Sequence, residues 1–205
     1  MAEHRNHLSR VYGLDTQEET DAFYSDWAAT YDAEVIANGY KTPERLSKAL
    51  VEFAAKNQKI LDIGCGTGFS GEHLAAQGFS NIHGTDPNDE MLEVARQRSV
   101  YTSVWKTDLS DPLTFEIGAY HVITAIGVIS TGAAPPETLE AVLHKLKPGG
   151  LLAFSFNDHA LDEPAFPAAR DDVLAKGLAT ERYRNYGPHL TGQNLNSDIY
   201  IFERL

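Results

Sequence analysis

The chain has little with which to hold itself together covalently: one cysteine, Cys65, in 205 residues. An internal disulfide is excluded, and a lone thiol without a secretory signature places the chain in a reducing cytoplasm. Long apolar runs are also lacking. No stretch is long enough to span a bilayer, so no membrane partner is expected, and Met1 to Arg10 reads as neither signal peptide nor anchor. Positive charge is scarce, with 17 Lys and Arg against 29 Asp and Glu and a formal net charge of −12. Recognition of a phosphate backbone begins with clustered Lys and Arg, so nucleic acid is not an expected partner. The nearest basic pair, Arg96 and Arg98, reads as a solvated helix face. Histidines do not fill a metal site either, because no H-x-x-x-H pair or Cys/His cluster occurs. His4 and His7 fall in what reads as a mobile tail.

What remains is ordinary: 42% hydrophobic and 10% aromatic residues, enough for one domain with a real core. Residues 1–205 are expected to form that single domain, with an N-terminal helical cap over 1–57 and a core over 58–205. In the cap, Thr20 to Val35 and Pro43 to Lys56 have helical character, and Pro43 suits a first helical turn. Phe23, Trp27 and Tyr31 share one helix face. This aromatic stripe, with Tyr24 and Tyr40 beside it, either packs the cap onto the core or walls a pocket.

From Lys59 onward short apolar runs alternate with helical segments. Strands are expected at Ile60 to Ile63, Asn81 to Thr85, Ser103 to Trp105, Tyr120 to Ile126 and Leu151 to Phe156. Helices are expected at Gly68 to Gln77, Asn88 to Gln97 and Pro136 to Leu146. Such alternation predicts an α/β fold, a parallel sheet with helices on both faces. The tail follows a helix at about Ala165 to Lys176 with strands at Glu181 to Tyr186 and Ile199 to Glu203, set apart by turns at Gly187-Pro188 and Gly192. They read as a closing antiparallel pair. Ligands of such sheets bind at the carboxyl ends of the strands, where Asp62, Asp86, Asp108 and Ile126 fall.

Chemistry is most explicit in Ile60-Leu61-Asp62-Ile63-Gly64-Cys65-Gly66-Thr67-Gly68, a buried strand running into a glycine-dense turn. The glycines allow positive φ and let backbone approach a ligand with no Cβ between them. Gly66, Gly68 and Gly71 spell G-x-G-x-x-G, with Asp86 about twenty residues on, so the dinucleotide fingerprint is formally met. A pyrophosphate at that turn, however, is poorly served by a fixed negative charge next to it. Asp62, two residues before Gly64, suits a ligand that is cationic near the turn.

The segment Leu61 to Gly68 resembles the first motif of the class I S-adenosylmethionine-dependent methyltransferases. The resemblance covers about Lys59 to Phe156 and implies a Rossmann-like, seven-stranded, mostly parallel sheet with an antiparallel closing strand. It implies S-adenosyl-L-methionine as cofactor, with Asp62, Gly64, Cys65, Gly66 and Gly68 along its methionine part and Asp86 on the ribose hydroxyls. Pro87 and Met91 would line the adenine, Asp108 would accept its amino group and Leu109 support the ring edge, and Ile126 ends the fourth motif. Tyr12 to Asp15, Trp27 to Asp32 and Gly39-Tyr40 are similar to small methyltransferases of the Williams-Beuren-region group, and Tyr31 would cover the methyl group or reach the cofactor carboxylate.

Methyl transfer is an in-line displacement, so alignment matters more than a catalytic side chain unless the acceptor must first lose a proton. His159, in Asn157-Asp158-His159 after the fifth strand, is the candidate base. Tyr24, Trp27, Tyr40 and Asn157 are candidate substrate contacts. After the fourth strand the chain has Gly127-Val128-Ile129-Ser130 rather than an Asn-Pro-Pro-Tyr type of motif, which disfavours base-amine or glutamine methylation. The expected acceptor is a small molecule, and monomer and homodimer both remain open. Two rivals stand beside this reading: an NAD-dependent oxidoreductase, and a non-catalytic S-adenosylmethionine-binding sensor or partner protein.

Overall fold

A computed structural model describes His7 and residues 17–205. Three helices come first, α1 (Gln17–Trp27), α2 (Tyr31–Ala37) and α3 (Thr42–Leu50). The core then alternates β1 (Ile60–Ile63), α4 (Phe69–Ala76), β2 (Ile82–Asp86), α5 (Asp89–Gln97) and β3 (Ser103–Lys106). After β4 (Val122–Ala125) come α6 (Thr138–Lys145), β5 (Leu151–Asn157), α7 (Asp158–Asp162) and α8 (Ala165–Ala175), then β6 (Ala179–Leu190) and β7 (Leu195–Arg204). No helix of the described residues is long and apolar enough to cross a membrane.

The strands form one sheet in the order β3-β2-β1-β4-β5-β7-β6. Strands β1 to β5 pair in parallel, while β7 runs antiparallel to both β5 and β6. The strand order reverses between β1 and β4, and a crevice at such a switch point is where ligands of open α/β sheets lie. Both faces are covered. One core packs Ile123, Leu152, Phe154 and Phe202 against α6 and α8, and the other packs Ile60, Ile82, Val122 and Ile201 against α3 and α4. The apolar runs of β1, β4 and β5 follow from burial on both faces.

Three local expectations give way, and one segment without an assigned element is helical. The helix read over Thr20 to Val35 is two helices, because the Thr30 backbone amide and hydroxyl both turn back onto the Trp27 carbonyl, at 2.9 and 3.5 Å. The helix read to Lys56 stops at Leu50, where Phe53 and Ala54 close turns onto the Leu50 carbonyl. Gly187-Pro188 is no turn: β6 continues through it with a register shift between Pro188 and Leu190, as an edge strand can, since it tolerates a residue without an N–H. The segment after β5 is helical from Asp158 on, because the Asn157 side chain caps it by accepting from Ala160 N at 3.0 Å.

Candidate active site

Gly64, Gly66 and Gly68 all have positive φ, of 62°, 53° and 86°. Their surroundings differ. A Cβ on Gly64 would stand 2.5 Å from Val128 Cγ2, in the loop after β4, and one on Gly68 would stand 2.9 Å from Arg98 Cδ. Around a Cβ on Gly66 there is nothing within 4 Å. Gly64 and Gly68 therefore serve close packing at the switch point, and Gly66 is where the turn offers bare backbone to a ligand.

Asp62 lies beneath the turn, 1% exposed. Its Oδ1 accepts from Thr124 Oγ1 at 2.7 Å, and its Oδ2 from Ser70 Oγ at 2.5 Å and Tyr101 OH at 2.8 Å. Burial pushes its carboxyl above the usual range while these three hydroxyls pull it back. Cys65 beside it is buried, and burial with the nearby Asp62 and Asp86 charges raises its thiol well above normal, so it is a packing residue rather than a nucleophile.

At the end of β2, Asp86 accepts from Gly66 N and from Asn88 N, both at 2.9 Å. The carboxylate thereby fixes the turn of the neighbouring strand and the start of α5. Asn88 caps that helix by accepting from Met91 N at 2.9 Å, and Met91 is buried behind it. At the end of β3, Thr107 N donates to Asp86 O at 2.9 Å, which draws the next loop alongside. There Asp108 is exposed and holds Ser110 through its backbone amide and hydroxyl, which lowers the carboxyl pKa. Leu109 is 46% exposed.

Arg98 is not the solvated residue its position suggests. Its side chain is only 11% exposed, pairs with Asp32 of α2 and with Glu72 of α4, and donates from Nε to the Thr67 carbonyl at 2.5 Å. Asp32 also accepts from Thr67 Oγ1 at 2.7 Å. The cap, the glycine turn and the end of α5 are thus tied at one point. Arg96 does remain at the surface, paired with Glu93.

Beyond β4 and β5 a cavity with about 510 Å³ of empty space, its open mouth included, is walled by Tyr24, Trp27, Tyr31, Tyr40, Asn157 and His189, with Gly127 and Ser130 to Ala133 along one side. Trp27 and Tyr31 meet edge to face, 4.7 Å between centroids, although the helix breaks between them. Tyr40 stacks on Phe69 and meets His189 edge-on at 5.1 Å. Burial pushes the His189 imidazole down to about 4. The described residues hold no group of three or more His, Cys, Asp or Glu able to bind a metal ion.

A methyltransferase domain family matches residues 38–196, which is well over half of the chain. The chain belongs to the methyltransferase domain family. Human methyltransferase-like protein 27 is 30% identical over 159 residues, covering 76% of this chain and 64% of that protein. A ubiquinone biosynthesis O-methyltransferase of Shewanella pealeana is 32% identical over 102 residues, 48% of this chain and 43% of that one. The chain spans less than two thirds of the length of either relative. In fold it is similar to a TehB-like S-adenosylmethionine-dependent methyltransferase from Corynebacterium glutamicum, with a TM-score of 0.64 at 22% identity over 88% of this chain and 98% of that one. The family and the seven-stranded Rossmann-like sheet make S-adenosyl-L-methionine the cofactor rather than a dinucleotide.

The residues present fit that cofactor. Gly66 offers the cradle that a Cβ would fill, and Asp86 offers a carboxylate whose capacity of about four hydrogen bonds is compatible with holding two amides and receiving hydroxyls as well. The methyltransferase strand order brings Gly66, Asp86 with Pro87, Asp108 with Leu109, and the buried Ile126 to one edge of the sheet. Asp62 supports the turn from below. Tyr24, Trp27, Tyr31, Tyr40 and Asn157 gather around the cavity, so the aromatic stripe both packs and walls: Phe23 is buried against Trp27 and does not line the cavity. His159 does not join them; it is exposed on α7. His7 is no mobile tail residue, being buried against Trp27 with Nδ1 2.8 Å from Glu34 Oε1. His4 and Tyr12 to Asp15 lie outside the described residues. His189 and Arg98 carried no sequence signal, since their partners are distant in the chain.

Proposed function

We propose that this methyltransferase transfers a methyl group to a small molecule held between its cap and the ends of β4 and β5, with residues 1–57 as the cap of a single domain. The observation that carries the reading is the aromatic-walled cavity, which contains Gly127 of the switch-point crevice and four cap aromatics. The net charge of −12 argues against a nucleic-acid acceptor, and the named activity of the Shewanella relative supports an acceptor of metabolite size.

S-adenosylmethionine, when bound, supplies an electrophilic methyl carbon with a neutral thioether as leaving group. The chain's part is to align and to exclude water. Gly66 and Asp86 would hold the cofactor, with Pro87, Met91, Asp108 and Leu109 along its adenosine end and Asp62 keeping the turn in shape. Tyr31 and Tyr40 would close over the reacting face. His159, exposed and outside the cavity, receives no role as a base.

Calorimetric titration with S-adenosylmethionine, S-adenosylhomocysteine and NAD tests the ligand, and incubation of metabolite pools with a labelled methyl donor tests turnover. Binding of the first two together with label in a compound of small mass is expected. Tight NAD binding with neither of the others would sink the reading, and firm binding with no transfer to any pool would turn it toward a sensor.

A further inference from the structure

His189 has an arrangement that methyl transfer by itself does not require. It stands at the end of β6, 5% exposed, and its ring lines the cavity. Its backbone carbonyl accepts from Lys41 N at 2.8 Å and its Nδ1 lies 2.8 Å from Thr42 Oγ1. Nε2 has no hydrogen-bond partner among the described residues.

Donor accounting along this contact favours one tautomer. Arg45 Nη1, shared with the Pro188 and Ser197 carbonyls at 3.0 and 3.2 Å, lies 3.1 Å from Ser197 Oγ, and a guanidinium can only donate. Ser197 is fully buried, and Thr42 Oγ1, at 2.8 Å, is the acceptor its own hydroxyl proton finds. Thr42, its oxygen already accepting, donates its hydroxyl hydrogen bond to His189 Nδ1. Nδ1 is then an acceptor, and in a neutral imidazole the proton sits on Nε2. Burial keeps the ring neutral.

We propose that His189 presents an Nε2–H to the methyl acceptor, and that the acceptor is a planar molecule carrying a hydrogen-bond-accepting oxygen, flanked by Trp27, Tyr31 and Tyr40. His189 is a donor that orients, not a base. This rests on the small-molecule reading above. The aromatic walls alone would equally suit a cationic amine. The Nε2–H opposes one, because a protonated amine brings donors to a donor.

Benzoate and benzylamine, planar probes of similar size and opposite charge, are titrated calorimetrically into the full chain with and without S-adenosylhomocysteine. The same is done with His189→Phe, which keeps a flat ring without the N–H, and with His189→Gln, which restores an amide donor. Benzoate is expected to bind at least tenfold tighter than benzylamine, to lose about tenfold in His189→Phe and to recover within about threefold in His189→Gln. Benzylamine binding better, or benzoate affinity indifferent to His189→Phe with circular dichroism unchanged, would overturn the inference. The ring itself gives a reading that needs no ligand: in 15N-labelled protein at neutral pH, Nε2 should resonate as a protonated nitrogen and Nδ1 as a bare one, and the reverse would refute it. If S-adenosylhomocysteine binds while benzoate ignores His189, this inference fails and methyl transfer stands. If benzoate behaves as expected and S-adenosylhomocysteine does not bind, the His189 donor stands as a ligand contact while the methyl-transfer reading, and with it the identity of the ligand as methyl acceptor, fails.

Discussion

Beneath the glycine turn, Asp62 receives three hydroxyls and Asp86 two backbone amides, whereas Nε2 of His189 in the neighbouring cavity has no partner among the described residues. The turn is preorganised by the protein's own donors, so its shape does not depend on a ligand's arrival. The cavity is walled by packed rings, Trp27 on Tyr31 and Tyr40 on His189, with His189 anchored through Nδ1 to Thr42 and its Nε2 left for a guest. One cofactor and many possible acceptors are served by this division: a rigid polar seat on one side and an apolar box with few directed donors on the other.

Acid should separate the two sides most. His189 is held near 4 in the fold against 6.5 when exposed, so below 6.5 the unfolded chain takes up a proton that the folded one refuses. Stability present above pH 6.5 is then lost as pH falls toward 4, by up to about 3 kcal/mol. Asp62 works with the opposite sign. Its raised carboxyl favours the fold at low pH, and that contribution disappears as pH rises through the raised value. Urea unfolding across this range should show a slope that flattens in His189→Gln and persists in Asp62→Asn; an unchanged slope in His189→Gln would erase the distinction.

Next in size is Asp86→Ala, which should weaken S-adenosylhomocysteine about 100-fold by calorimetry, since ribose hydroxyls and Gly66 N lose an acceptor together. Benzoate affinity should change little. An effect within threefold on the cofactor product would mean the ribose sits elsewhere.

The smallest test lies within the turn. Gly64→Ala meets Val128 and a positive φ at once and should lower stability by about 2 kcal/mol in denaturant melts, with Gly66→Ala losing about half of that. Affinity should reverse the order, Gly66→Ala weakening the cofactor product about tenfold beyond any effect of Gly64→Ala. Equal effects of the two would show that neither glycine faces a ligand.

The parallel strands and the turn were legible because both follow from local pattern: apolar runs buried on two faces, and glycines at three adjacent special conformations. Asp86 was legible from its distance to the turn, and its bond to Gly66 gives that spacing a cause. Asp62 was read as facing the ligand; its seclusion depends on Ser70, Tyr101 and Thr124, which spacing does not bring together. His189 was hidden twice, by Pro188, which read as a turn, and by a partner 147 residues away. The cap aromatics posed a false choice, since periodicity says which residues share a face and not whether that face is filled or hollow.

Tyr31 walls the cavity, and the very next residue, Asp32, grips both Thr67 of the glycine turn and Arg98. Two consecutive side chains on α2 thus touch the two halves of the site. Any tilt of that helix to admit an acceptor tugs on the hydroxyl and carbonyl of Thr67, and any settling of the turn is felt one peptide away at the wall. The helix therefore joins the cavity wall to the glycine turn through a single carboxylate.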